Sequence, residues 1–311
     1  MECTRYDEFD ACADALLAWE IEATQLDHGP FEAELIQVRS PAALVSEITF
    51  GQALHQRGEP PRGMRTLGVP ADPAQRIFFQ RKWIRGNQLM VFPRGCELDS
   101  VSLAGFHVFS ISFEEDRMSE ICHALSGTDY PGLLSGREVA NSTSGGMHSL
   151  RHAIRRLMIS SGRHEDGDAQ AAFVPRDDDL ALLEAIAEVL TLDEDSLPPE
   201  PFRVRERAVR RSLDLIEESN GEPISVVDLC RTTGVSRRTL EYAFQERFRL
   251  SPKAYMLTWR LGKVRADLRQ NHAGQSITWI ANHWGFDHLS RFAALYKRLF
   301  GELPSETIRT D

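Results

Sequence analysis

Apolar and polar positions in the last third of the chain follow one pattern twice. The first copy runs Leu229-Cys230, Gly234-Val235-Ser236, then Leu240, Phe244, Phe248 and Pro252; the second runs Ile280-Ala281, Gly285-Phe286-Asp287, then Phe292, Tyr296, Phe300 and Pro304. The copies lie 51 residues apart at the glycines and 52 apart from the core of the following helix onward. Apolar residues four apart predict a buried helical stripe. A small residue, Cys230 or Ala281, lets two helices approach closely, and the glycine four positions later supplies the positive φ that ends a helix before a sharp turn. Ser236 and Asp287 are N-cap types for the helix that follows. Each copy therefore predicts a two-helix corner of the DNA-binding kind.

Between the copies, Pro252 can open a helix over residues 253–270, with Gly262 its only weak point. About 18 residues span roughly 27 Å, near the roughly 34 Å that separates successive major grooves on one face of B-DNA. One chain is thus expected to read a two-part site.

Upstream the period changes to two. Phe31-Ala33-Leu35-Gln37, Leu44-Ser46-Ile48-Phe50, Leu89-Val91 and the run from Val108 to Phe113 alternate, broken by Gly29-Pro30, Pro60-Pro61, Pro93-Arg94-Gly95 and Gly105. Such runs between Trp19 and Phe113 predict an antiparallel barrel or sandwich. Helices are expected at 115–125, 147–160 and 178–192, with joints at 160–168 and at 193–201, where Pro198-Pro199 falls.

The run Ile277-Thr278-Trp279-Ile280-Ala281-Asn282-His283-Trp284-Gly285-Phe286-Asp287-His288-Leu289-Ser290-Arg291-Phe292 is followed by Tyr296-Lys297-Arg298-Leu299-Phe300-Gly301 and Pro304-Ser305. Together they resemble the signature of the AraC/XylS transcription regulators, and the resemblance covers about residues 205–309. Val227-Asp228-Leu229-Cys230 with Val235-Ser236-Arg237-Arg238-Thr239-Leu240 is similar to the subgroup containing the ethanolamine-operon regulators. Departures fall at Glu302-Leu303 and at Thr307-Ile308-Arg309.

The resemblance implies an α+β protein of two domains. At the N-terminal end it implies a cupin-like antiparallel β barrel with dimerisation helices that binds an effector and pairs two chains; at the C-terminal end, an all-α double helix-turn-helix. The expected division is 15–192 for the effector domain, 193–202 for the linker and 203–311 for the DNA-binding domain. The partners implied are double-stranded promoter DNA, RNA polymerase when activating, a second copy of the chain and a small-molecule effector.

Charge sharpens the division. Residues 203–311 carry 19 Lys+Arg and 13 Asp+Glu, and the rest carries 17 and 33, so a module of net +6 sits on a carrier of net −16 within a chain of net −10. That asymmetry is expected when one end neutralises phosphates. On the first recognition helix Arg237, Arg238, Thr239, Glu241 and Tyr242 lie off the Leu240/Phe244 stripe. Arg238 is the candidate for a bidentate contact to guanine, Glu241 for accepting from cytosine N4, and Arg237 for phosphate. On the second, His288, Leu289, Ser290 and Arg291 occupy the first turn, where base edges are met. Trp259, Trp279 and Trp284 fall in helical patterns and are expected in the core.

One island in the carrier is basic. Between His55 and Cys96, eight basic residues (Arg57, Arg62, Arg65, Arg76, Arg81, Lys82, Arg85 and Arg94) face only Glu59 and Asp72. Arg81-x-x-x-Arg85, followed by Asp99, Ser102 and Gly105, is similar to the RxxxR and D/N-x-S-x-x-G motifs by which PilZ-type proteins hold cyclic di-GMP, although Asp99 stands one residue too far from Ser102. Some AraC-type regulators of exopolysaccharide synthesis respond to that nucleotide. Two readings stand. One is an effector pocket for cyclic di-GMP made of Arg62, Arg65, Thr66, Arg81, Trp83, Arg85, Asp99, Ser102 and Gly105. The other is a set of arginines paired with carboxylates of the domain. The ethanolamine-regulator subgroup takes a small amine and a cobalamin instead, and a basic island suits a cationic amine poorly.

No P-loop, G-x-S-x-G or dinucleotide fingerprint occurs, and the His-x-His of metal cupins is missing, so neither enzyme activity, a metal nor a cofactor is expected. His148 and His152 alone share an i, i+4 spacing. Five cysteines without a CxxC, an acidic and polar opening at Met1-Glu2-Cys3-Thr4 and no long apolar run lead to the expectation of a cytoplasmic protein without membrane contact. The alternative function class is a constitutive DNA-binding protein whose N-terminal domain only dimerises.

Overall fold

The structure is a computed structural model and describes residues 3–80, 82–92, 98–126, 138–161, 177–191, 201–222, 224–270 and 274–308. It divides into two compact units: Met1–Ala23 with Phe31–Gly51 and Gln56–Asp195, and Thr24–Pro30 with Gln52–His55 and Ser196–Asp311. Residues 193–200 of the expected linker lie outside the described residues.

In chain order the first unit begins with β1 (Thr4–Tyr6), α1 (Phe9–Ala15), β2 (Glu20–Gln25), β3 (Ala33–Arg39), β4 (Ala43–Phe50), β5 (Leu54–Glu59) and β6 (Arg65–Pro70). It continues through β7 (Ile77–Phe79), β8 (Lys82–Ile84), β9 (Gln88–Phe92), β10 (Leu98–Ser102) and β11 (Phe106–Phe113). α2 (Glu115–Ser126), β12 (Val139–Asn141), α3 (Ser144–Ser161) and α4 (Asp177–Thr191) follow. The strands form a seven-stranded sheet, β1-β3-β4-β11-β6-β9-β12, and a five-stranded sheet, β2-β5-β10-β7-β8. Its longest ladder pairs β11 with β4 from Phe106↔Phe50 to Phe113↔Ala43.

The expected cupin-like barrel is therefore not closed. Among the described residues no ladder joins the two sheets, and three of the four edge strands, β1, β8 and β12, have only three residues each. Strands that short cannot carry a ladder around a corner, so the sheets meet through side chains: Phe79 and Phe92 have ring centroids 4.8 Å apart. Alternation sends Val45, Leu67, Val69, Val91, Phe109 and Ile111 into one buried cluster with Leu150, Ile154 and Leu157 of α3 and Leu182, Ile186 and Val189 of α4. Arg151 of α3 is buried in that layer. It donates from Nε to the Pro70 carbonyl at 2.7 Å and from Nη2 to the Gly86 carbonyl, tying α3 to the end of β6 and to the turn between β8 and β9. Burial, with the charge of Arg155 behind it, lowers its pKa.

Ahead of position 15, where the sequence pattern placed no element, β1 pairs with β3, and Phe9 of α1 packs its ring 5.9 Å from Phe31.

The second unit holds α5 (Pro201–Glu218), α6 (Val226–Thr233), α7 (Arg237–Phe248), α8 (Pro252–Arg269), α9 (Ile277–His283), α10 (Leu289–Phe300) and α11 (Pro304–Thr307). Segments 24–30 and 52–55 belong to the same unit. Within it the Leu299 carbonyl accepts from the Gly29 amide at 3.0 Å and from Gln25 Nε2 at 3.0 Å. His55 Nδ1 lies 2.6 Å from the Tyr255 hydroxyl.

Candidate nucleic-acid interface

Each corner is made by local chemistry. Ser225 caps α6 in a reciprocal box with Asp228, whose carboxyl is held below its ordinary range chiefly by the Ser225 hydroxyl. Gly234 ends α6 at φ 71°, and Ser236 accepts from the Thr239 amide at 3.2 Å to start α7. In the second corner Ser276 caps α9 by accepting from the Trp279 amide at 3.1 Å, and Gly285 takes φ 77°. The Phe286 amide then bonds back to the Ala281 carbonyl, five residues earlier, at 2.9 Å, closing a Schellman-type end.

The change of offset from 51 to 52 has a structural cause. Two residues separate Gly234 from α7, and three separate Gly285 from α10. The extra residue moves the N-cap to His288, which makes no side-chain cap bond. Asp287 is consequently not the cap expected from its type.

On α7 the stripe Leu240, Ala243, Phe244, Arg247 and Phe248 is buried, and Arg237, Arg238, Glu241 and Tyr242 are exposed. Thr239 is half-buried, with its hydroxyl 2.9 Å from Ser236 Oγ. Arg237 Nε lies 2.9 Å from Glu241 Oε1, and the Arg205 guanidinium sits 5.1 Å from the centroid of the Tyr242 ring. On α10, Phe292, Tyr296, Leu299 and Phe300 are buried; His288, Leu289, Ser290 and Arg291 are exposed.

α8 spans Pro252–Arg269, 18 residues, capped by Ser251 with Pro252 in its first turn. Trp259 and Trp284 are core residues, 7% and 6% exposed, with rings T-shaped at 5.7 Å. Trp279 breaks the expectation: it is 51% exposed and stacks on His283 at 5.5 Å. Its helix has only seven residues, and its buried side is filled by Ile280 and Ala281.

The closed ends of the corners differ. In the first, Phe244, Phe248 and Tyr255 form an aromatic cluster completed by His55. In the second, Tyr296 donates into a polar group with Thr307. Burial pushes the Tyr296 hydroxyl up to about 12 from 10.0, against the pull of its hydrogen bond to Thr307. The folded pKa is raised, so this contribution to stability is complete below pH 10 and is lost as pH rises towards about 12. Thermal melts across that window should show the helical unit weakening, and the dependence should largely vanish in Tyr296→Phe; an unchanged slope would exclude Tyr296 as its source.

The residues of the basic island are spread over both sheets. Arg62 is exposed and paired with Glu59 and Glu20, and Arg65 is paired with Glu115. Thr66, on β6 of the seven-stranded sheet, is buried with its hydroxyl 2.8 Å from Ser112 Oγ. Trp83, on β8 of the five-stranded sheet, packs against Phe78 beneath the guanidinium of Arg76, 5.2 Å from its ring. Arg85 follows in a turn, where its amide donates to Gln88 Oε1. Asp99 and Ser102 lie on β10, Ser102 fully buried, and Gly105 has φ 75°. Arg81 lies outside the described residues. His148 and His152 share a groove between α3 and α4 with Arg156, Asp178, Glu184 and Glu188. Among the described residues no group of three such side chains is arranged to hold a metal ion, and no helix is long and apolar enough to cross a membrane.

A helix-turn-helix domain model matches residues 229–310. The "Probable thc operon regulatory protein" of Rhodococcus erythropolis is 40% identical over 103 residues, 33% of this chain and 31% of that one. The XylDLEGF operon transcriptional activator of Pseudomonas putida is 40% identical over 100 residues, 32% of this chain and 31% of its own length. The crystallised probable AraC family transcriptional regulator from Rhodopseudomonas palustris CGA009 is 35% identical, over 33% of this chain and 94% of that chain, with a TM-score of 0.31. The chain belongs to the AraC/XylS family. This AraC/XylS protein spans about a third of the length of the curated relatives it matches.

Proposed function

We propose that this chain is a ligand-responsive transcription regulator that binds promoter DNA with α7 and α10 in two successive major grooves, and contacts RNA polymerase when activating. The observation that carries this reading is the pair of exposed recognition faces, Arg237, Arg238, Glu241 and Tyr242 on α7 and His288, Leu289, Ser290 and Arg291 on α10, joined by one 18-residue helix. Roughly 27 Å of helix suits the separation of adjacent grooves. The test is selection of duplexes from a randomised pool by the full-length protein, followed by anisotropy titrations at several salt concentrations. A two-part consensus is expected, with log K falling by about 0.9 per neutralised phosphate against log salt. Binding without sequence enrichment would sink the proposal.

We propose a homodimer through α3 and α4. Their outer faces expose Ile159 and Leu180.

Cyclic di-GMP is the effector to titrate first, by calorimetry with Arg81→Ala and Arg85→Ala as controls. The net +6 window and the Trp83 ring support it; the ion pairs of Arg62 and Arg65 favour the structural reading of the island. A ligand shifts the protein between two arrangements only by its difference in affinity for them.

A further inference from the structure

A helix can act as a ruler between two recognition helices only if each is held to it at a fixed angle. For α10, that attachment draws on Arg265, Glu302 and Thr307, which lie outside the repeated pattern. Arg265 of α8 is largely buried, 12% exposed at its side chain, and its Nη2 lies 3.0 Å from Glu302 Oε1, just beyond the end of α10. Thr307 Oγ1, on α11, donates to the same carboxylate oxygen at 2.9 Å, and the Tyr296 hydroxyl of α10 lies 2.7 Å from Thr307 Oγ1. With the Thr307 proton on Glu302, Tyr296 is the donor to Thr307, and the chain of hydrogen bonds ends on a charge that Arg265 balances. The Arg265 guanidinium also lies 4.7 Å from the centroid of the Phe300 ring.

Three helices therefore meet at one carboxylate. At the 52-residue offset the first corner has Leu250, Tyr255 and Phe244 where the second has Glu302, Thr307 and Tyr296, so the polar lock is confined to the second corner. Thr307 is also one of the positions at which the chain departs from the family's usual ending.

We propose that Arg265 and Glu302 are positioning residues that lock α10 to α8 and thereby set the separation at which the two recognition helices engage DNA. The inference rests on the two-groove reading above. A charged pair joined by directed hydrogen bonds and backed by an aromatic ring resists rotation of α10 about α8 more than apolar packing does, because those bonds have fixed directions; Arg265 Nε is buried with no hydrogen-bond partner among the described residues.

The test uses the full-length protein and duplexes enriched by it from a randomised pool. Affinities are measured for the winning two-part duplex, for versions with one or two base pairs added or removed between the parts, and for versions with either part scrambled. Each added base pair moves the second part by about 3.4 Å along the axis and roughly 34° around it. Glu302→Gln and Arg265→Gln should each weaken binding to the optimal duplex about tenfold, because a loosened second module has a lower effective concentration at its half-site. The preference for the optimal spacer should fall to within about threefold of its neighbours, with binding to the first part alone unchanged and partial recovery in Arg265→Lys.

Equal weakening on every duplex, or a spacer preference that survives in variants whose melting transition is intact, overturns the lock and leaves two-groove reading in place. A wild-type protein indifferent to the spacer overturns two-groove reading, and the lock with it.

Discussion

Phe244→Ala is expected to destabilise the helical unit by ~3–5 kcal/mol, the range for truncating a buried phenylalanine. Phe244 is fully buried, with ring centroids 5.3 Å from Phe248 and 5.7 Å from Tyr255. It thus ties the first recognition helix both to itself and to α8. Domains of this size have only about 5–15 kcal/mol in total, so the loss removes a large share of the unit's stability and, at roughly 4 °C per kcal/mol, lowers its melting temperature by about 10–20 °C. Phe244→Leu, which keeps most of the volume, should cost under about 1.5 kcal/mol. Calorimetric melting of the full chain checks both; a shift of a few degrees in the alanine variant would mean that α7 is not anchored through this ring.

Arg238→Ala should weaken binding to the selected duplex by ~1–3 kcal/mol and flatten the preference at one base position. The structure separates it from its neighbour. Arg237 is engaged with Glu241 at 2.9 Å, whereas Arg238 is exposed and has no ion-pair partner among the described residues. Exposed pairs of the Arg237–Glu241 kind contribute little, so Arg237 can exchange Glu241 for a phosphate, releasing that carboxylate towards cytosine N4. Arg237→Ala should then weaken all duplexes alike and reduce the salt slope by about one. Competition titrations against single-base variants of the duplex distinguish the two; uniform weakening in Arg238→Ala would remove it from base readout.

The legible parts of this protein have causes confined to a few residues. Gly234 and Gly285 can be read because a helix that stops and turns needs positive φ there, and Ser236 because its hydroxyl satisfies the amide three positions on; Ser225, Ser251 and Ser276 cap their helices in the same way but were not singled out. The sides of α7 and α10 follow from a four-residue stripe. The same reasoning placed β4, β9 and β11 and the helices α3 and α4, through alternation and apolar spacing. It misjudged Trp279, because periodicity alone cannot say which side of a seven-residue helix is covered, and Asp287, because one inserted turn residue transfers the cap to His288. It also passed over α1, whose reason to exist is Phe9 against Phe31 and Phe50, 22 and 41 residues away.

The sequence by itself determined the duplicated corners, the helix that joins them and the basic sign of the module that carries them, since each follows from backbone geometry and spacing within about one helix length. Tertiary structure decided how the strands sort into two open sheets, and that Arg62 and Arg65 of the basic island are held by Glu59, Glu20 and Glu115. It also decided that His55 completes the cluster at Tyr255, that the Leu299 carbonyl is satisfied by Gly29 and Gln25, and that Arg265 meets Glu302. Those partners stand between 3 and 274 residues apart, and pairs so unequal in separation leave no period in the sequence. They form because a buried donor or acceptor left without a partner is costly, and which partner arrives is fixed only when the whole core packs.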